Sequence, residues 1–222
     1  MWCVPTLDAE YIAKMEDVLN VLVRPYDKRE PVVTIDERPV VLRGTRRPGR
    51  PMTPGRVARE DYEYVRKGTA NVYCMVEPKA GRHLTHATPN RKAPYFTAAL
   101  QRLARRYRDV ATIHLIMDNL NLHGPGALIA TLGPTQGAAL WARFTPHYTP
   151  KHGSWLNMAE TELSVLSGQC LDRRIGETEE LRAEVTAWEH ARNTATCRID
   201  WQFTTADARV KLKRLYPSIQ VG

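Results

Sequence analysis

With 222 residues, 43% of them apolar, the chain can bury a substantial core and has the length of one globular domain, or of one with a small appendage. It has no apolar run of the ~18 residues that a membrane span needs, and "MWCVPTLDAEYIAK" lacks the basic start and apolar centre of a secretory leader; the reading is cytoplasmic, with no membrane partner. Lys and Arg outnumber Asp and Glu by 32 to 24, and the formal net charge of +8 comes mainly from arginine, whose planar fork grips phosphate, so a polyanion such as nucleic acid is the expected partner.

In chain order, residues 1–30 contain a short helix, "DAEYIAKMEDVLNVLV", and the turn-like "RPYDKRE", together a linker-like N-terminal segment. "PVVTIDERPVVLRG" holds two β-branched runs, Val32 to Ile35 and Val40 to Leu42, parted by charges and Pro39; it predicts one strand ending near Asp36 and a second after it. "GTRRPGRPMTPGRVAR" is too rich in Arg, Pro and Gly to pack, and predicts an exposed basic loop over 43–59. That loop is either a solvated linker or a DNA-contacting arm whose Arg46, Arg47 and Arg50 enter a minor groove.

"ANVYCMVEP" predicts a strand, and "PYFTAALQRLARRYRD" a helix with Phe96, Leu100, Leu103 and Tyr107 on one stripe. Arg102, Arg105, Arg106 and Arg108 fall off that stripe and read as a solvated basic face. "TIHLIMDN" has the unbroken apolar run of a central strand reached by a parallel crossover. A short helix in "PGALIATLG" and a strand in "ARFTPHY" follow. Ser154 is the predicted N-cap of a helix from Trp155 towards Cys170, "ETEELRAEVTAWEHARN" buries Leu181, Val185 and Trp188, and "TADARVKLKRLY" is a last helix. The fold class is α/β, a mixed central sheet flanked by helices. Cys3, Cys74, Cys170 and Cys197 are far apart with no CxxC pair, so they read as buried or incidental thiols.

Three carboxylates stand out. Asp36 and Asp118 each follow a predicted hydrophobic strand, where an acid either caps a turn or projects into the crevice in which open α/β sheets hold ligands. On the helix after Ser154, at about 100° per residue, Leu156, Ala159, Leu163, Leu166 and Cys170 share a face that Glu160 and Glu162 flank about 160° apart. Asn157 and Ser164 form a polar strip on the Glu160 side, while Glu162 reads as a solvated surface acid; Glu160 is the preferred crevice residue. If Asp36, Asp118 and Glu160 converge, carboxylates about 4 Å apart repel by about 4 kcal/mol at an effective dielectric near 20, and the cluster requires cations. Oxygen ligands select Mg2+ or Mn2+, and two such ions serve phosphoryl transfer.

"TIDERPV", "DYEYVRKGTANVYCMVEP", "IMDNLNLH", "HYTPKHGSWLNMAETELSVLSGQCLDRRI" and "DWQFTTADARVKLKRLYP" together resemble the DDE superfamily endonuclease domain of mariner-like bacterial insertion-sequence transposases. The resemblance runs over about residues 1–217 and implies a ribonuclease-H-like fold with a catalytic domain over 31–217 and a tail over 218–222. It further implies a catalytic and metal-binding triad of Asp36, Asp118 and Glu160, two Mg2+ or Mn2+ ions, and cut-and-paste transposition with DNA, both element ends and target, as partner. Asn119 and His123 of "DNLNLH" match the family pattern; with Lys151, His152 and Asn157 and the basic loop's Arg46, Arg47 and Arg50 they form the DNA-binding or site-shaping set. Trp155 is expected to pack in the core. A homodimer is expected, and so is an upstream helix-turn-helix region that this chain lacks, which would make it a catalytic half. Gly168 stands in "LSGQC" near an expected basic residue, and glycine in a helix interior costs about 1 kcal/mol, a mark of sequence drift. The competing readings are a catalytically silent DNA-binding remnant and a stand-alone ribonuclease-H-like nuclease.

Overall fold

The computed structural model describes residues 7–59, 61–120 and 123–216; Cys3 and the 218–222 tail lie outside them. Five strands form one mixed sheet in the order β3-β2-β1-β4-β5. β1 (Val32–Thr45), β2 (Tyr64–Glu77) and β3 (Arg82–Thr88) are an antiparallel meander. The helix α2 (Ala93–Arg106) then crosses over to β4 (Ile113–Met117), which runs parallel to β1, and β5 (Phe144–Tyr148) adds in parallel beyond it. Helices α3 (Pro125–Leu132) and α4 (Pro134–Trp141) connect β4 to β5.

Alternation along the strands divides the core. Val33, Ile35, Tyr73, Met75 and Leu115 face α2 with its Phe96, Leu100 and Leu103, the stripe that helical spacing predicts. On the opposite face Leu42, Val72 and Cys74 meet α5 (Met158–Leu166) and α6 (Thr178–Thr194), whose Leu181, Val185 and Trp188 are buried.

Several expectations change. The N-terminal helix α1 (Ala9–Val23) is no tether: Met15, Val18, Leu19 and Leu22 are buried with Ile116, Leu156 and the last helix α7 (Thr205–Lys211) in a third cluster. An apolar stripe of that size is stable only against a partner, and the β4–β5 side of the sheet supplies it. The two predicted strands around Pro39 are one continuous strand. β4 pairs β1 only at Val32 to Thr34, so Pro39 sits where one edge of β1 is open, and there a missing N–H breaks little of the ladder. Residues 43–45 of the predicted basic loop belong to β1; Lys67 is left over opposite the Leu42/Arg43 step as a bulge, beside Gly68 at φ +117°. Beyond Thr45 the arm holds only the isolated bridges Arg50↔Arg59 and Thr53↔Arg56.

β3 and α4 were not anticipated. β3 hides from the strand pattern because two of its inward positions, His83 and Thr85, are polar. Its free edge is satisfied by α6: Glu189 accepts from the Thr85 N–H at 2.6 Å, and the Asn193 amide bonds the His83 N–H and C=O at 2.7 and 2.9 Å. The predicted helix over 155–170 is three pieces: a 3₁₀ turn at Ser154–Leu156, α5, and a π-helical turn at Ser167–Leu171. Gly168 therefore falls outside the α-helix, with open space where a Cβ would point. Cys74 and Cys170 are buried free thiols, and Cys197 is half-buried.

Candidate active site

The β1–β4 ladder ends at the Thr34↔Ile116 pair. Continued by two residues, that register sets Asp36 beside Asp118 on one face, at the mouth where the strands part. Asp36 is thus a mid-strand residue of β1; what ends near it is the pairing with β4.

The third carboxylate is delivered by Asn157, not by the predicted cap Ser154. Asn157 is 2% exposed and caps α5, its Oδ1 accepting from the Ala159 N–H at 3.1 Å, while its Nδ2 donates to the Ile35 C=O at 3.0 Å. One amide thereby starts the helix and ties it to the β1 residue before Asp36, and Glu160 follows in the first turn. The approach is a tight turn in which the Gly153 N–H bonds the Pro150 C=O at 2.8 Å, and a Cβ on Gly153 would stand 2.6 Å from the Pro150 ring.

Burial pushes the Asp36 carboxyl up; the Glu37 N–H, at 2.8 Å, opposes it, and the charges of Glu37, Glu160 and Asp118 push further, to about 7. Asp118 and Glu160 line an open cleft of about 620 Å³ with Asn119, Lys151, His152 and Asn157. Asp118 is 38% exposed, and one of its oxygens is held by His123 Nδ1.

His123 has a second acid. Its Nε2 lies 3.4 Å from Oε2 of Glu37, a carboxylate 4% exposed that also meets Arg91 at 3.4 Å, and its ring stacks on Phe96 at 4.7 Å. Burial alone would lower the imidazole pKa, but the hydrogen bonds to Asp118 and Glu37 reverse that and lift it to about 9. Sequence reasoning missed Glu37. Its only signal was position: next to Asp36 on a strand, it must face the other side of the sheet.

Glu162 is corrected from surface acid to buried ion: it is 3% exposed, bound by Arg192 at 2.7 and 2.8 Å and by His83 Nε2 at 3.0 Å. Burial raises its pKa, and those partners overcome the effect and hold it below the ordinary range. Arg46, Arg47 and Arg50 are not brought to the cleft. They stand on the arm, where Arg46 pairs with Glu63 at 2.7 Å and Arg47 with Glu63 and Asp61 at 3.7 and 3.8 Å. Trp155 packs against Trp201 and Phe203 beside the α1 cluster.

Residues 31–182, more than half the chain, match the family model of the DDE superfamily endonuclease. The chain belongs to that family. As a DDE superfamily endonuclease it also shares its fold with solved structures. It is similar to the Mos1 transposase paired-end complex with left transposon end (TM-score 0.54, 17% identity, 85% of this chain and 57% of that one). It is similar too to the Mos1 strand transfer complex (0.54, 15%, 87% and 60%) and to the Mos1 mariner paired end complex with Mn (0.51, 16%, 96% and 61%). At such identities the likeness establishes the ribonuclease-H-like fold, and this DDE superfamily endonuclease spans about three fifths of the length of those chains. No curated protein sequence matches it. Among the described residues no three His, Cys, Asp or Glu side chains are gathered closely enough to hold a metal ion as they stand. The donor chemistry nonetheless suits a hard cation: the candidate ligands are carboxylate oxygens, and Asp36 is opposed by the charges of Glu37, Glu160 and Asp118.

Proposed function

We propose that this chain is the catalytic domain of a transposase that cleaves DNA at the ends of a mobile element and joins the freed 3′ end to target DNA. The observation that supports the reading is geometric: the β1–β4 register leads to Asp36 and Asp118 side by side, and Asp118 and Glu160 line one cleft beside that mouth of the sheet. Asp36, Asp118 and Glu160 are the residues that would hold two Mg2+ or Mn2+ ions, which supply activation of the attacking oxygen and stabilisation of the leaving oxygen.

The remaining residues orient the acids and the DNA. Asn157 fixes the first turn of α5, and with it Glu160, against β1. His123 is a positioning residue: bonded to Asp118 and facing Glu37, it couples the end of β4 to β1 and fixes one Asp118 oxygen. Lys151, His152 and Asn119 line the cleft and would meet phosphates entering it. Arg46, Arg47 and Arg50 act apart from the chemistry, as an arm that grips DNA after exchanging Glu63 and Asp61 for phosphate. The working assembly is a dimer with one DNA end per cleft.

Purified protein, Mn2+, a labelled pre-nicked element-end duplex and supercoiled target, with Glu160→Gln alongside, test the reading. Joined product that vanishes in the variant supports it. DNA binding with neither cleavage nor joining supports a silent binding module instead, and hydrolysis confined to the RNA strand of a hybrid duplex supports a ribonuclease-H-like nuclease.

A further inference from the structure

The end of the sheet opposite the carboxylates collects positive charge from four separate segments. Two adjoining hollows, about 480 and 560 Å³, share Arg82 and Arg106 as a common ridge; eight basic side chains line them and one acid, Asp109. Lys28 and Arg29 come from the turn before β1, Arg82 from the start of β3, Arg105 and Arg106 from the last turn of α2, and Arg198 from the segment after α6; all six are exposed. Of these six, only Arg82 has an ion pair among the described residues. It meets the buried Glu77 at 3.3 Å, a carboxylate already bonded by the Tyr107 hydroxyl at 2.7 Å. The arm differs, since Arg46 and Arg47 there have acids of their own.

The grouping is built into the fold. The β2–β3 turn places Gly81 at φ +65°, and a Cβ there would stand 2.8 Å from the backbone of Thr196, so this turn and the segment after α6 are in backbone contact. The Ile199 N–H bonds the Pro78 C=O at 3.0 Å, which holds Arg198 beside Arg82. Arg143 donates to the C=O groups of Tyr107 and Arg108, a cation closing the end of α2, where the helix dipole also favours Arg105 and Arg106. β4 and the residue after it, Ile113 to Asp118 in extended chain, put roughly 17 Å between this surface and the carboxylates.

We infer that this surface binds the phosphate backbone of a second DNA duplex, separate from the one at the carboxylates. Lys28, Arg29, Arg105, Arg106 and Arg198, five cations without an ion pair among the described residues and with Asp109 as the one acid lining the hollows, repel one another, and phosphates at duplex spacing relieve the repulsion while matching the guanidinium fork. Contacts to phosphates alone carry no base information, so the binding is independent of sequence. The partner's identity as DNA rests on the function proposed above; the binding itself does not require catalysis.

The test is the salt dependence of duplex binding for the full chain and for Arg29→Ala/Arg105→Ala/Arg106→Ala/Arg198→Ala. Each lost phosphate contact lowers the slope of log K against log salt by about 0.9, so the quadruple variant's slope should fall by about 3 to 4. Capture of a second, differently labelled duplex by protein already holding one should be lost too, while cleavage at saturating DNA and thermal stability stay unchanged. The lysine versions of the four substitutions keep the charge and should keep the slope. If the quadruple variant fails to fold, Arg105→Ala/Arg106→Ala replaces it, with an expected fall of about 2. An unchanged slope with second-duplex capture intact overturns the inference, and a fall seen with structured RNA but not with duplex DNA overturns the DNA assignment. Cleavage with an unchanged slope would sink this surface alone, and a lowered slope without cleavage would sink the catalytic reading alone.

Discussion

Replacing Asp36 with Asn should stabilise the protein, and more so as pH rises. The carboxyl's move from an ordinary 3.8 to about 7 spans roughly three pH units at ~1.4 kcal/mol each, a ceiling of roughly 4 kcal/mol. A folded-state pKa above the unfolded one means that the native state holds the proton more tightly. The group's contribution is complete below about pH 4 and is lost progressively as pH rises to about 7. Asn carries no proton to lose, so Asp36→Asn should match wild type near pH 4 and exceed it above pH 7. With water entry and local relaxation the gain is on the order of 2 kcal/mol, or about 4–8 °C in Tm for a domain of this size. Thermal unfolding at pH 5 and pH 8, without and then with Mg2+, measures it. Mg2+ should raise the wild-type Tm and leave that of Asp36→Asn nearly unmoved if Asp36, Asp118 and Glu160 hold the ion together as proposed. An equal Tm difference at both pH values would show that Asp36 does not carry the charge burden described here.

Arg192→Leu leaves the Glu162 carboxylate buried with His83 alone and should cost about 3–5 kcal/mol, whereas Glu162→Leu/Arg192→Leu should cost less than the single change; denaturant midpoints of the double-mutant cycle decide it. Asn157→Ala removes both the α5 cap and the bond to β1, with an expected loss of about 1–3 kcal/mol and a fall in strand transfer larger than Ser154→Ala produces. Gly81→Val forces a β-branched side chain into φ +65° and against Thr196, so a drop in Tm of several degrees is expected, together with weaker duplex binding as Arg82 and Arg198 part. His123→Ala should raise the Mn2+ concentration needed for half-maximal cleavage with little change in DNA affinity, whereas a residue that only contacts DNA would do the reverse.

Local pattern alone was enough for much of the molecule, because strand and helix periods are properties of a short window. The α2 stripe from Phe96 to Tyr107, the apolar run of β4, the α6 positions Leu181, Val185 and Trp188, and the α5 positions Ala159, Leu163 and Leu166 are all buried as their spacing predicts. The same wheel could say that Glu160 and Glu162 leave that face on opposite sides, but not what waits there. Tertiary structure alone turns one towards the cleft and brings Arg192 and His83, 30 residues downstream and 79 upstream, against the other. The continuity of β1 through Pro39 depended on where β4 stops pairing, and β3 depended on α6 supplying Glu189 and Asn193 to an edge whose inward side chains are polar. The coupling of Glu37 to Asp118 through His123 and the gathering of Lys28, Arg82, Arg106 and Arg198 on one surface have no local signature. A window of sequence reports which face a side chain takes, and only the long-range register of the folded chain determines which distant charge that face meets.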